Sequence, residues 1–212
     1  KILDLLDKYP EIIDINKSCG NKFKKRLVSQ SEPKLKKNYK VSTALIIGSG
    51  SIGQRHIRNL RKIGIDCIVA LRSKKGHFKK LPEDLNITEV DNWEDALFSN
   101  PDIAIISNPS SMHIETARKV IGHVKGVFIE KPLSNSTSEC QYLIDMFNEN
   151  KVVSFVGHNM MFHPIVENII KFYKKNDIGE VINIQCQVGQ WLPDWHPYED
   201  YKKAYYARKD LG

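Results

Sequence analysis

Two groups of residues in this sequence have the types and spacing for chemistry. The first is Gly48-Ser49-Gly50-Ser51-Ile52-Gly53-Gln54-Arg55-His56, whose glycine spacing fits a dinucleotide corner between a strand and a helix. In such a corner Gly48 allows the tight turn, Gly50 lets backbone amides approach a diphosphate, and Gly53 lets the helix pack closely on the strand. Ser51 and Ile52 then lie in the first helical turn, where unsatisfied N–H groups and the helix dipole favour an anion. The second group is Glu130-Lys131-Pro132. Hydride transfer from a carbinol carbon to nicotinamide requires the hydroxyl proton to leave. A lysine can hydrogen-bond that hydroxyl and act as general acid and base, provided burial or a neighbouring positive charge tunes the amine toward neutrality. Lys131 is therefore the candidate catalytic and substrate-binding residue, Glu130 helps to position it, and Pro132 fixes the backbone.

These groups need a scaffold, and the apolar runs supply it. Ala44 to Ile47 is a short continuous apolar segment, and Ile52, Ile57, Leu60 and Ile63 follow at helical spacing until Gly64 ends the helix. A second strand is predicted over residues 65–71. It leads into Arg72-Ser73-Lys74-Lys75, about twenty residues beyond the last glycine, where an NAD site would carry Asp or Glu. A guanidinium, a hydroxyl and two ammonium groups suit a 2′-phosphate and leave no carboxylate to repel it, so Arg72, Ser73 and Lys74 predict NADP in preference to NAD. Strands are further expected at 86–90, 102–107, 126–129 and 152–156, with Asp91 capping a helix after the third and Ser134 capping one after the fifth. The alternation of strand and helix predicts an α/β doubly wound parallel sheet of Rossmann type. In such sheets ligands bind beyond the carboxyl ends of the strands.

Three segments follow from this pattern: a basic extension over residues 1–40, the dinucleotide-binding domain over 41–159, and the start of an α+β substrate or oligomerisation domain over 160–212. In the last, a helix is expected over 163–175 and a half-buried strand over 180–191. Most of the net charge of +7 resides in the extension, which holds eleven Lys or Arg against five Asp or Glu and leaves +1 for the rest. Phe23 and Tyr39 are the only aromatic residues in its lysine-rich part, so a solvated or packing arm is expected there, with neither nucleic acid nor membrane as partner. No apolar run has the length of a membrane span and no signal peptide opens the sequence. Cys19, Cys67, Cys140 and Cys186 are scattered without metal-ligand spacing, which predicts reduced thiols, no metal and a cytoplasmic setting.

Taken in order, the glycine motif, Ser107-Asn108-Pro109 with His113, Glu130-Lys131-Pro132-Leu133, and Gly157-His158-Asn159 with Phe162-His163-Pro164 resemble the successive motifs of the Gfo/Idh/MocA oxidoreductases. The resemblance covers residues 43 to about 191. It implies an NAD(P)-dependent dehydrogenase or reductase of a sugar, nucleotide sugar or cyclitol, with Lys131 as the catalytic lysine. Ser107, Asn108, His113 and Glu130 are then placed around the nicotinamide and its ribose. His158 and Asn159 end a strand near the cleft and are candidates for substrate contact. Trp195 and His196, with Trp191 and Tyr198, offer aromatic faces and a polar ring that suit a carbohydrate. The resemblance also implies a longer chain supplying further active-site residues, so the sequence reads as truncated in its C-terminal domain. The alternative reading is a non-catalytic dinucleotide-binding or regulatory module left by that truncation. An unfinished sheet edge predicts a homo-oligomer.

Overall fold

The computed structural model describes residues 41–73, 80–195, 197, 200–209 and 211. The basic extension, Lys74, Lys75, His196, Tyr198 and Gly212 lie outside the described residues.

Short runs of branched apolar residues fill both faces of a sheet. Residues 44–47 are buried to 4% exposure or less, and they alternate between two cores: Leu45 and Ile47 face one side, Ala44 and Ile46 the other. A strand buried on both faces needs this continuous apolar composition, which is the signature of a parallel sheet covered by helices. Six strands form it: β1 (Thr43–Ile47), β2 (Cys67–Leu71), β3 (Thr88–Val90), β4 (Ile103–Ile106), β5 (Gly126–Ile129) and β6 (Val153–Val156). All neighbouring pairs are parallel, in the order β3-β2-β1-β4-β5-β6. The expected doubly wound sheet is therefore present.

Helices α1 (Ser51–Lys62), α2 (Trp93–Phe98), α3 (His113–Val120), α4 (Cys140–Glu149), α5 (Pro164–Lys174) and α6 (Leu192–Trp195) complete the described fold. Ile57 and Leu60 of α1 cover one face of the sheet. Ala117 and Val120 of α3 join Leu143 and Phe147 of α4 on the other. Gly64 ends α1 at φ +88, where its N–H bonds to Arg61 O and the Ile65 N–H bonds back to Leu60 O. This is the paired pattern of a Schellman turn, and it packs Ile65 against Leu60.

Some boundaries differ from the sequence reading. Asn92 rather than Asp91 caps α2, its Oδ1 accepting the Asp95 N–H at 2.9 Å. Ser134 does not cap α4, which begins at Cys140; its hydroxyl instead accepts the Ser136 N–H within a serine-rich turn. Residues 180–191 form no strand and are exposed throughout. Alternating side chains give a strand only where a neighbouring backbone completes the ladder, and no described residue pairs with this segment. α5 is helical as expected, with His163 Nδ1 accepting the Ile165 N–H ahead of Pro164, but it buries none of its residues. Among the described residues, no helix is long and apolar enough to cross a membrane.

Candidate dinucleotide site and the Lys131 loop

β1 pairs with β2 on one side and β4 on the other, so the chain reverses its direction of winding at the end of β1. The residue that follows each strand is tied to the next strand in the sheet. Gly48 N–H bonds to Leu71 O, Ser107 to Ile47 O, Glu130 to Ile106 O and Gly157 to Ile129 O. These bonds set the residues singled out in the sequence side by side along the carboxyl edge of the sheet, at its topological switch point.

At the glycine corner, Gly48 has φ +90, and a Cβ there would meet Asn108 N at 2.5 Å. A Cβ on Gly53 would lie 2.1 Å from Gly48 O. Turn and helix are thus in direct contact, and both positions exclude a side chain. Gly50 differs: its backbone is extended at φ -66, and a Cβ there would meet nothing within 4 Å. Open space lies over the start of α1, which has no side-chain cap and no acidic residue in its first turn. Ser51 and Ile52 are exposed beside it. An uncapped helix start with open space over a glycine is what a diphosphate requires. The Ser107 hydroxyl donates to Gly48 O at 2.6 Å and so bolts the loop after β4 to this corner. Next to it, Asn108 Nδ2 donates to Thr116 Oγ1 at 2.8 Å, while its Oδ1 is buried with no hydrogen-bond partner. A buried acceptor left unpaired costs about 1–3 kcal/mol. The residues present fit a dinucleotide.

At the end of β2, Arg72 is buried and its Nη1 lies 2.6 Å from Glu89 Oε2 of β3. The expectation that no carboxylate stands near the guanidinium is therefore corrected. Register places Glu89 opposite Ala70, a neighbour that linear spacing from the glycines does not reveal. Ser73 is exposed.

Lys131 is exposed, so the described residues do not supply the burial that the sequence reading invoked. Its backbone is nonetheless well held. Glu130 Oε2 accepts the Lys131 N–H at 3.2 Å, and the Lys131–Pro132 bond is cis. Glu130 Oε1 faces His56 Nε2 at 2.7 Å, with both side chains about 15% exposed. Burial pushes the Glu130 carboxyl upward, but the His56 hydrogen bond and charge together with Lys131 outweigh it and hold the group below its ordinary value. The sequence reading gave His56 no role. Its position one turn beyond Gly53 on α1 was the available signal.

His113, expected around the nicotinamide and its ribose, lies beneath the loops that follow β4 and β5. It is 1% exposed, with Nδ1 at 2.8 Å from Pro132 O and Nε2 at 2.8 Å from Asn108 O. The ring sits between carbonyl oxygens of the two cleft loops, and its N–H donates to one of them. His158 and Asn159 are exposed at the end of β6, after Gly157, where a Cβ would meet Phe128 at 2.8 Å and Glu130 Oε1 at 3.5 Å. They lie on the Glu130 side of the cleft. Trp195 packs against Tyr206 at a ring separation of 5.2 Å. Among the described residues no cluster of His, Cys, Asp or Glu is arranged to hold a metal ion.

A parallel sheet with a glycine corner at its switch point defines a dinucleotide-binding domain of Rossmann type. The model of the GFO_IDH_MocA group, described as "Oxidoreductase family, NAD-binding Rossmann fold", matches residues 43–158, and the chain belongs to that family. It is 25% identical over 159 residues to an uncharacterized oxidoreductase of Streptococcus pneumoniae, a match covering 74% of this chain and 43% of that protein. It is 27% identical over 149 residues to the 2,7-anhydro-N-acetylneuraminate hydratase of Mediterraneibacter gnavus, covering 69% of this chain and 39% of the relative. Among solved structures, the myo-inositol 2-dehydrogenase of Lactobacillus plantarum superposes with a TM-score of 0.60 at 24% identity, over 68% of this chain and 44% of that one. The chain spans less than half the length of these proteins.

Proposed function

We propose that this chain is the cofactor-binding part of an NAD(P)-dependent oxidoreductase acting on a secondary alcohol, or the matching ketone, of a sugar, nucleotide sugar or cyclitol. The observation that carries the reading is the row of Gly48, Ser107 and Glu130 along one sheet edge, which sets the Lys131 loop two strands from the glycine corner. An inositol dehydrogenase and a 2,7-anhydro-N-acetylneuraminate hydratase among its relatives support a polyhydroxylated substrate. When bound, nicotinamide accepts or returns a hydride. The residues of the chain do the rest: Gly50, Ser51, Ile52 and Gly53 seat the diphosphate, and Ser107 and Asn108 shape the ribose side of the cleft. Lys131 takes the hydroxyl proton as the carbonyl forms and gives it back in the reverse direction. His158 and Asn159 face the substrate. Trp195 and His196 are carried as carbohydrate contacts.

The preferred cofactor is NADP, with Arg72, Ser73 and Lys74 around its 2′-phosphate and Glu89 weakening that preference. The protein works in the cytoplasm as a homo-oligomer. The test compares turnover of the protein and its Lys131→Ala variant across a panel of cyclitols, sugars and nucleotide sugars. A loss of about a hundredfold or more in kcat is expected, and undiminished turnover in the variant removes Lys131 from the mechanism.

A further inference from the structure

We infer that His56 is a positioning residue for Lys131, acting through the Glu130 carboxylate. The inference rests on the reading of Lys131 as the proton carrier. Glu130 is a two-ended strut. Its Oε1 takes the His56 Nε2–H at 2.7 Å, and its Oε2 takes the Lys131 backbone N–H at 3.2 Å. Only an ionised carboxylate accepts at both oxygens without a competing O–H, and Glu130 is held in that form as described above. Charge-assisted bonds of this kind are roughly twice as strong as neutral ones.

The strut is anchored at its far end on a rigid element. His56 lies within α1, and the edge of its ring packs on Phe128 at 5.0 Å and 62°. Phe128 in turn packs on Phe155 at 5.6 Å. The imidazole is therefore fixed by the sheet as well as by its helix, and its donor is aimed at Glu130 before any ligand arrives. On the other side of Lys131, the Pro132 carbonyl lies 2.8 Å from His113 Nδ1, while before it the Glu130 N–H donates to Ile106 O. The residues before and after Lys131 thus each lie against a buried or half-buried histidine, and Lys131 itself is exposed between them. A single helix, α1, carries both the glycine corner and the residue that sets the lysine's backbone. A proton carrier must sit within hydrogen-bond reach of its substrate, so an error of an ångström in this loop is a catalytic loss.

The experiment reads the Lys131 amide directly by hydrogen exchange in NMR spectra, alongside turnover. His56→Leu removes the donor and keeps apolar contact with Phe128, whereas His56→Gln keeps a donor. In His56→Leu, exchange of the Lys131 N–H is expected to accelerate by about tenfold, the size of one lost charge-assisted bond, while exchange of the Ser107 N–H in the neighbouring loop stays unchanged. kcat falls by about tenfold with the cofactor Kd within about twofold, and His56→Gln restores most of both effects. Parental exchange at Lys131 together with parental kcat in His56→Leu overturns the inference. If His56→Leu fails to fold, His56→Phe, which preserves a ring against Phe128, carries the same test. The exchange reading is independent of turnover: accelerated exchange in a protein whose Lys131→Ala variant keeps full activity retires the role given to Lys131 but leaves the strut in place.

Discussion

Replacing Gly50 and Gly53 separately by alanine divides cofactor binding from folding, because the two positions face different surroundings. Gly50 has backbone angles open to any residue, and its Cβ would enter empty space. As the N-cap of α1, alanine is less favourable than glycine by a few tenths to about 1 kcal/mol. The stiffer unfolded chain returns about 0.4–1 kcal/mol, so the net change in stability is within about 0.5 kcal/mol of zero. The same methyl group stands where the diphosphate must approach the amides of Ser51 and Ile52, and NADH binding is expected to weaken by about tenfold or more, about 1.4 kcal/mol. Gly53 behaves oppositely. Its Cβ would fall 2.1 Å from the Gly48 carbonyl oxygen, and Gly48 cannot retreat because it is itself packed on the Asn108 backbone. Forced overpacking against backbone costs about 3 kcal/mol, at the upper end of the usual range, so Gly53→Ala loses stability and binding together. Urea unfolding followed by fluorescence supplies the stabilities, and NADH fluorescence titration supplies the affinities. Parental affinity in Gly50→Ala, or parental stability in Gly53→Ala, refutes the reasoning.

The amino end of the sheet carries an acid-sensitive clasp. Asp102 is held well below the usual carboxylate range, first by the Lys125 ammonium at 2.6 Å, then by the Ser42 backbone N–H, with the Ser42 hydroxyl and Thr43 N–H also bonded to it. A depressed folded pKa gives stability that is present above the unfolded pKa and lost as pH falls through the folded one. Asp102→Asn is therefore expected to cost roughly 2 kcal/mol near neutral pH and to flatten the loss of stability below about pH 4, measured by urea midpoints at a series of pH values. At the other edge, Glu89→Gln removes the carboxylate beside Arg72. It is expected to tighten NADPH binding by about fivefold, close to 1 kcal/mol, with NADH little changed; paired calorimetric titrations check the ratio.

The strands were legible wherever a short apolar run had to be buried on both faces, as in Ala44 to Ile47 and Ile103 to Ile106, because few other structures dispose of such segments. β3 was harder to bound: Thr88 and Glu89 are exposed, so only register against β2 defines them. Capping was ambiguous where Asp91 and Asn92 stand together, since either side chain can reach the first turn and only backbone angles choose between them. The strand expected over 180–191 was misread because alternation records a pattern of faces and says nothing about an available partner. In the site, Gly48 and Gly53 were readable because each answers a local steric demand, and Gly50 because it falls at the spacing of the motif between them. The couplings between His56 and Glu130, 74 residues apart, and between Arg72 and Glu89, 17 apart, were not. They exist because parallel strands and one helix converge on the same edge, a property of topology that no local window contains. The 1% exposure of His113 was likewise not legible, since burial depends on how α3 settles on the sheet.

The function proposed for this chain depends on the amides at the start of α1 binding the diphosphate of a nicotinamide dinucleotide. The most direct measurement is an NMR titration of the protein with NADH and NADPH, following backbone amide shifts residue by residue. Saturable shifts at Gly50, Ser51, Ile52 and Gly53, extending to Ser107 and Asn108, are the expected result. An intact, folded sample in which those amides do not move, while either nucleotide is added to saturating concentration, contradicts the account.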